Sequence, residues 1–264
     1  MTLCIAATCL DEKDQPRIIV SSDWRTELGT LAAAEVQNKL YWLFKGTWCV
    51  LIAGTVSSAL SLLTTIRSSI DAKKLTRGNI EDQLNKAILE HRNKLVKLYV
   101  KSRHNVTFKH FRTHRSEFDK GKWTETQSGI ENRQLDCFLL VCTFIKETPF
   151  IFQVHEDCTV VREENFAAIG SGSYVANAIL CYRQQNEELS VDETLFNLYE
   201  ATKFAGRARV PGVGKLHAFS VLYPGRKQRR LRQKGLRELS KYFDKYGPQK
   251  VKKVGIPKGS LERY

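Results

Sequence analysis

Thr2 stands directly behind the initiator Met and heads an apolar stretch, TLCIAATC. Removal of Met1, the usual fate of an initiator before a small residue, would leave a hydroxyl and a free α-amine on one residue. A threonine hydroxyl is a poor nucleophile until a base takes its proton. The α-amine, with an ordinary pKa of about 7.7–8.0, can be that base near neutral pH. A neighbouring ammonium keeps more of such an amine neutral, a carboxylate anchors the ammonium, and backbone amides receive the oxyanion. The chemistry therefore asks for an Asp, a Lys and a Gly turn at strand ends close to the Thr. Asp23 closes RIIVSSD, Lys39 opens KLYWLF and Gly54 ends TWCVLIAG. Each alone also suits a turn, an edge strand or a helix entry, so the ordered set carries the inference.

The elements that must position these residues alternate in blocks. Leu3 to Cys9, RIIVSSD, KLYWLF and TWCVLIAG read as strands bounded by turn residues. SSALSLLTTIRSSI reads as a helix with Leu60, Leu63 and Ile66 on one face, and a second helix is predicted from about Asn79 to Lys101, with Leu84, Ala87, Ile88, His91, Leu95 and Leu98 at helical spacing. From His104 to Arg133 no period is sustained. LDCFLLVCTFI and PFIFQVHED return to strand character, and GSGSYVANAIL opens a helix. Ser190 and Glu193 form a capping box that starts another, predicted to run to about Lys203 and stop at Gly206; HAFSVLY is the last strand. Strands, two helices, strands, two helices and a strand suit an α+β fold of two face-to-face sheets, each covered by a helix pair.

The set IIVSSDWRTELG, Lys39-Leu-Tyr, LIAGTVSSA and AAIGSGSYVANAIL resembles proteasome β-subunits and the bacterial proteasome-like peptidases, which are N-terminal-nucleophile hydrolases. The resemblance spans roughly residues 2 to 222 and implies a four-layer αββα sandwich. That family's pattern is an N-terminal Thr, an acidic residue with Arg two positions later, a Gly, and a Lys ten residues beyond it. Thr2, Asp23, Arg25, Gly29 and Lys39 match it. By the same resemblance Gly54 supplies the oxyanion amide, and Ser171, in Gly170-Ser171-Gly172, assists near the Thr amine. Ala208 and Pro211 fall where many members carry Asp and Ser. The implied activity is a threonine-type endopeptidase that needs no metal or organic cofactor. It would act on peptides or unfolded proteins, inside a self-compartmentalising homo-oligomeric ring. The same residues also suit a transpeptidase or ligase, in which an amine resolves the acyl-enzyme, or a catalytically silent scaffold.

Composition bounds these expectations. The chain has 264 residues, 42% of them hydrophobic and 10% aromatic, as a globular protein requires. Its longest apolar run, CFLLVCTFI, is too short to span a bilayer, and the N-terminus lacks the basic start of a secretion signal. Seven cysteines without CxxC spacing fit a reducing, cytoplasmic setting. The net charge of +14 is unevenly spread: residues 226–264 hold fourteen Lys/Arg against three Asp/Glu, and residues 101–125 hold seven against three. Outside these two stretches the chain is near neutral, so the body, 1–225, carries its basic character in an insertion at about 103–133, and a basic extension follows at 226–264. The extension suits nucleic acid, an acidic partner or an anionic membrane surface, with Leu231 to Tyr246 as a short amphipathic helix. His104, His110 and His114 offer spacing for a metal, although a basic surface loop fits the segment better.

Overall fold

The computed structural model describes residues 2–23, 26–28, 32–34, 39–208, 217–225 and 228–247. Contacts divide the chain into two units, Met1–Leu231 and Arg232–Tyr264. The first unit is α+β. In chain order it comprises β1 (Cys4–Leu10), β2 (Pro16–Asp23), β3 (Thr26–Leu28), β4 (Ala32–Ala34), β5 (Leu40–Leu43), β6 (Trp48–Gly54), α1 (Val56–Ser69) and α2 (Ile80–His104). These are followed by α3 (Phe108–Thr113), α4 (Lys120–Glu131), β7 (Cys137–Ile145), β8 (Thr148–Val154), β9 (Val160–Glu163), β10 (Phe166–Ile169), α5 (Ser173–Tyr182), α6 (Val191–Arg207), β11 (His217–Leu222) and β12 (Gln228–Arg230).

Two five-stranded antiparallel sheets carry the fold, in the orders β10-β1-β2-β11-β12 and β5-β6-β7-β8-β9, beside a short β3–β4 pair. The period-2 alternation of strands decides what each face buries. On β6 and β7, Cys49, Leu51, Ala53, Leu140 and Cys142 meet Cys4, Ala6, Ile18 and Val20 of the first sheet. Val50, Ile52, Leu139 and Val141 point the other way, onto Leu62, Ile66, Leu84 and Ile88 of α1 and α2. Helices α5 and α6 pack against each other and against β1 of the first sheet. Because both faces of the central strands are covered, their sequences are continuous apolar runs rather than alternating ones.

A buried polar network fixes α6 to β1. Gln185 Nε2 donates to the Thr8 carbonyl (3.1 Å) and to Thr194 Oγ1 (3.2 Å), and Asn197 Nδ2 donates to Gln185 Oε1 (2.9 Å). Arg183 pairs with Glu200, which is buried, at 2.9 Å. Such groups are tolerated inside only because each is partnered. At the start of α6, Ser190 and Glu193 form the capping box that the sequence announces.

Several expectations shift. Helix α6 continues through Gly206 to Arg207, since a glycine weakens a packed helix without ending it. Leu60 and Leu98 lie outward, while Ala59, Leu62, Leu63 and Ile66 form the buried stripe of α1. The stretch 104–133 is not irregular: α3, α4 and the end of α2 close a small core around Val96, Val100, Phe111 and Ile130, with Trp123 and Phe118 against it. Its two short helices are capped by Thr107 and Asp119. Part of its basic charge is consumed internally, by Arg103 on Glu125 (2.7 Å) and Arg115 over the Trp123 ring (4.5 Å). Gln228–Arg230, at the start of the basic C-terminal stretch, pairs with β11 as an edge strand.

In the second unit, α7 (Gln233–Tyr246) sets Leu236, Leu239, Phe243 and Tyr246 along one stripe and Lys234, Lys241 and Lys245 along another. No helix among the described residues is long and apolar enough to cross a membrane. Six of the seven cysteines are buried and Cys181 is exposed; none is in a disulfide.

His91 supplies a pH test of the α1–α2 layer. Its Nδ1 meets Thr65 Oγ1 at 2.9 Å, and burial holds its pKa below the ordinary 6.5. The unfolded chain therefore takes up the proton first. The stabilisation from neutral His91 is present above about pH 6.5 and is lost as pH falls below it. In denaturant titrations between pH 5 and 7.5, stability should decline on the acid side, and His91→Gln should flatten that limb.

Candidate active site

The β1–β2 pairing sets Cys4 against Ser22, and the Asp23 amide donates to the Leu3 carbonyl at 3.1 Å. The C-terminal end of β2 thus lies beside the residue that enters β1. On the other flank β10 pairs with β1, Ile169 against Cys4, so the chain leaves that strand next to Thr2. Lys39 precedes β5 in the second sheet, and its carbonyl accepts from the Ile52 amide at 3.0 Å. Three separate segments converge on one spot.

The geometry there is close. Lys39 Nζ donates to Thr2 Oγ1 at 2.6 Å and to Asp23 Oδ1 at 2.6 Å. Thr2 is 5% exposed, Lys39 4% and Asp23 0%. Charge-assisted hydrogen bonds of this length in a dehydrated setting are strong, and here they aim an ammonium at a hydroxyl oxygen. An ammonium so placed stabilises negative charge on that oxygen and has its own charge balanced by the carboxylate behind it.

Gly54 and Gly170 frame Thr2. Gly54 ends β6 with φ +90°, and a Cβ there would stand 2.8 Å from the Asp136 carbonyl oxygen. Gly170 has φ +93°, and a Cβ there would collide with the carbonyl of Thr2 itself. Both conditions select glycine: a left-handed backbone and no room. The Gly172 amide reaches the Thr2 carbonyl at 3.4 Å, and Ser171 lies in the turn between Gly170 and Gly172. A cavity of about 370 Å³ adjoins, bordered by Thr2, Gly54, Gly170 and Ser171.

Of the residues expected from sequence, the structure thus brings Thr2, Asp23 and Lys39 into hydrogen-bond contact, and gathers Thr2, Gly54 and Ser171 around one cavity. Arg25, Gly29 and Pro211 lie outside the described residues. Ala208 is the C-cap of α6 and is exposed. Sequence reasoning gave no signal for His217, which stands opposite Asp23 in the β2–β11 register, nor for Phe138 and Gln153, which reach the cavity from β7 and β8. Pairing of β11 with β2 brings His217 to Asp23 from far along the chain, and the packing of one sheet on the other brings Phe138 and Gln153 to the cavity. The steric need for Gly170 was equally hidden, although its place in Gly-Ser-Gly was visible.

The His triad of the insertion resolves into local contacts. His104 Nε2 meets Thr126 Oγ1 (2.8 Å), and His110 Nε2 meets Glu117 (2.8 Å) while stacking on His114. Among the described residues no group of three or more His, Cys, Asp or Glu is arranged to hold a metal.

Comparison with known proteins agrees on the fold. A family model described as proteasome subunit matches residues 119–205, which run from α4 through most of α6. No curated protein matches the sequence. Among solved structures the chain is similar to Anbu from Hyphomicrobium sp. strain MC1, at TM-score 0.60 and 15% identity, covering 92% of this chain and 94% of that one. It is also similar to a Gly-1 mutant of Anbu from the same organism (TM-score 0.60, 14% identity, 93% and 94% covered). A third similar structure is Anbu, described as an ancestral beta-subunit, from Yersinia bercovieri (TM-score 0.59, 14% identity, 92% and 94% covered). The fold is proteasome-like.

The two glycines permit a paired steric test. Gly170→Ala adds a methyl group against the Thr2 carbonyl, whereas Gly46→Ala at φ +87° meets nothing within 4 Å. Both pay a left-handed strain of about 1–3 kcal/mol, so chemical denaturation should show Gly170→Ala to be the more destabilised of the two.

Proposed function

We propose that the chain is a threonine peptidase of the proteasome-like type, built as an αββα sandwich on 1–225 with a basic extension at 226–264, and active after removal of Met1. The proposal is carried by one observation: a single buried ammonium, Lys39, donates to both the Thr2 hydroxyl and the Asp23 carboxylate at 2.6 Å. Thr2 Oγ1 attacks the carbonyl carbon of the scissile amide, and its proton passes to the freed Thr2 amine. Lys39 stabilises the charge developing on that oxygen, and Asp23 holds Lys39 in register. The Gly54 amide receives the oxyanion of the tetrahedral intermediate. The C–N bond breaks as the amine returns its proton to the leaving nitrogen, leaving an ester on Thr2. Water then adds to the ester, yields the carboxylic acid and regenerates the hydroxyl. Ser171 orients the Thr2 amine and relays protons at its mouth.

The fold likeness favours assembly of copies into a ring that restricts access to peptides and unfolded chains. The exposed Ala208 at the end of α6 favours a second reading, a silent scaffold, because the acidic residue that many relatives carry there is missing. Product analysis with an added amine acceptor separates hydrolysis from ligation.

Intact mass before and after an epoxyketone or β-lactone decides between the readings. The expected result is loss of Met1 and one adduct mapping to Thr2. Thr2→Ala should abolish peptide cleavage, and Lys39→Ala should lower kcat/KM by about 100-fold or more, as loss of a donor to developing negative charge does elsewhere. Retention of Met1 in the native protein would leave the scaffold as the better account, whereas unchanged cleavage by Thr2→Ala would exclude Thr2 as the nucleophile.

A further inference from the structure

The cavity beside Thr2 is the open end of the seam between the two sheets. Ala53 of β6, Phe138 of β7 and Gln153 of β8 line it from one sheet, and Ala168 and Ile169 of β10 line it from the other. The same faces, a few residues further in, form the apolar inter-sheet core of Leu51, Leu140 and Ile151. Hydroxyls of Ser171 and Ser173 lie at its border. Among the described residues no charged side chain lines it, and Asp23 and Lys39 are not part of its wall. Among the described lining residues the larger polar group is the Gln153 amide, which is neutral and can both donate and accept.

We propose that this cavity receives one substrate side chain flanking the scissile bond, and that it selects a bulky uncharged residue such as Leu, Phe, Tyr or Gln over Asp, Glu, Lys or Arg. A volume of about 370 Å³ suits a large side chain. An uncharged wall can repay burial of apolar surface. A carboxylate or ammonium entering it would lose its water and meet no opposite charge among the described wall residues, which is expensive. Phe138 supplies the apolar contact, and its ring is itself held edge-on to His155 at 6.1 Å. Gln153 sets the sign of the discrimination, because it is the wall position at which a charge can be introduced without touching Thr2, Lys39 or Asp23.

This selection rests on Thr2 being the nucleophile, and the test keeps the two apart. Fluorogenic peptides varied at one residue on either side of the scissile bond are assayed with the native chain and with Gln153→Glu. At one of the two positions the native chain should cleave Leu and Phe peptides at least about tenfold faster, in kcat/KM, than Asp or Lys peptides. Gln153→Glu should raise Lys and Arg peptides relative to Leu by about tenfold, a gain that misfolding cannot produce. Equal cleavage of charged and apolar peptides at both positions, or an unchanged profile in Gln153→Glu, would overturn the assignment. Should no peptide be cleaved and no adduct form at Thr2, the nucleophile has failed rather than the cavity. Saturation-transfer NMR on Thr2→Ala with acetyl-Phe-amide and acetyl-Lys-amide then reads the cavity directly. Transfer to the Phe compound alone supports the assignment, and equal transfer to both, or none to either, overturns it.

Discussion

One ammonium holds two oxygens in a place almost closed to solvent. Lys39 is 96% buried between the Thr2 hydroxyl and the Asp23 carboxylate, and each partner is at least as inaccessible or nearly so. Taking a charge out of water is costly, and the cost is tolerable only when the opposite charge stands in contact. Asp23 therefore cannot be removed in isolation: breaking a buried pair leaves an uncompensated charge and costs about 3–5 kcal/mol. The same dehydration that makes the pair demanding also sharpens its effect on the hydroxyl, since fields are weakly screened there.

Everything around the pair serves to bring its members together from distant parts of the chain. Asp23 arrives by pairing of β2 with β1, and Lys39 by pairing of β5 with β6 in the opposite sheet. The two sheets stay in register through the core of Cys4, Ala6, Ile18 and Val20 against Leu51, Ala53 and Leu140. Behind β1, the Gln185–Thr194–Asn197 network locks α6 to the Thr8 carbonyl, so the strand that begins at the proposed nucleophile is pinned at its far end as well. A proteasome-like fold is in this sense a way of presenting one strand terminus to a lysine from another sheet.

What could be read from the sequence was what depends on local spacing. Strand ends at Asp23 and Gly54, the entry to β5 at Lys39 and the capping box of Ser190 and Glu193 all announce themselves within a few residues. What could not be read depends on distant pairing. The stretch from His104 to Arg133 showed no sustained period because the partners of Phe111, Phe118 and Trp123 include Val96 and Val100 on a different helix. Leu60 and Leu98 satisfied a helical period yet face outward, since a period gives a stripe but not its orientation relative to the sheet below. His217 and Gln153 were invisible as neighbours of the site for the same reason: pairing of distant strands within one sheet brings His217 to Asp23, and packing of the other sheet brings Gln153 to Thr2.

The cysteines give the molecule an uncommon chemical selectivity. Burial raises the thiols of Cys9 and Cys137 to about 12, and it raises Cys4 and Cys142 as well. A thiol held protonated in an apolar wall does not attack electrophiles, even two residues from Thr2 as Cys4 is. Cys181, on the exposed side of α5, is the one exposed thiol. Soft, thiol-seeking reagents and hard, hydroxyl-seeking ones therefore meet different parts of this protein, so a fluorophore can be carried on Cys181 while the cavity beside Thr2 stays chemically untouched.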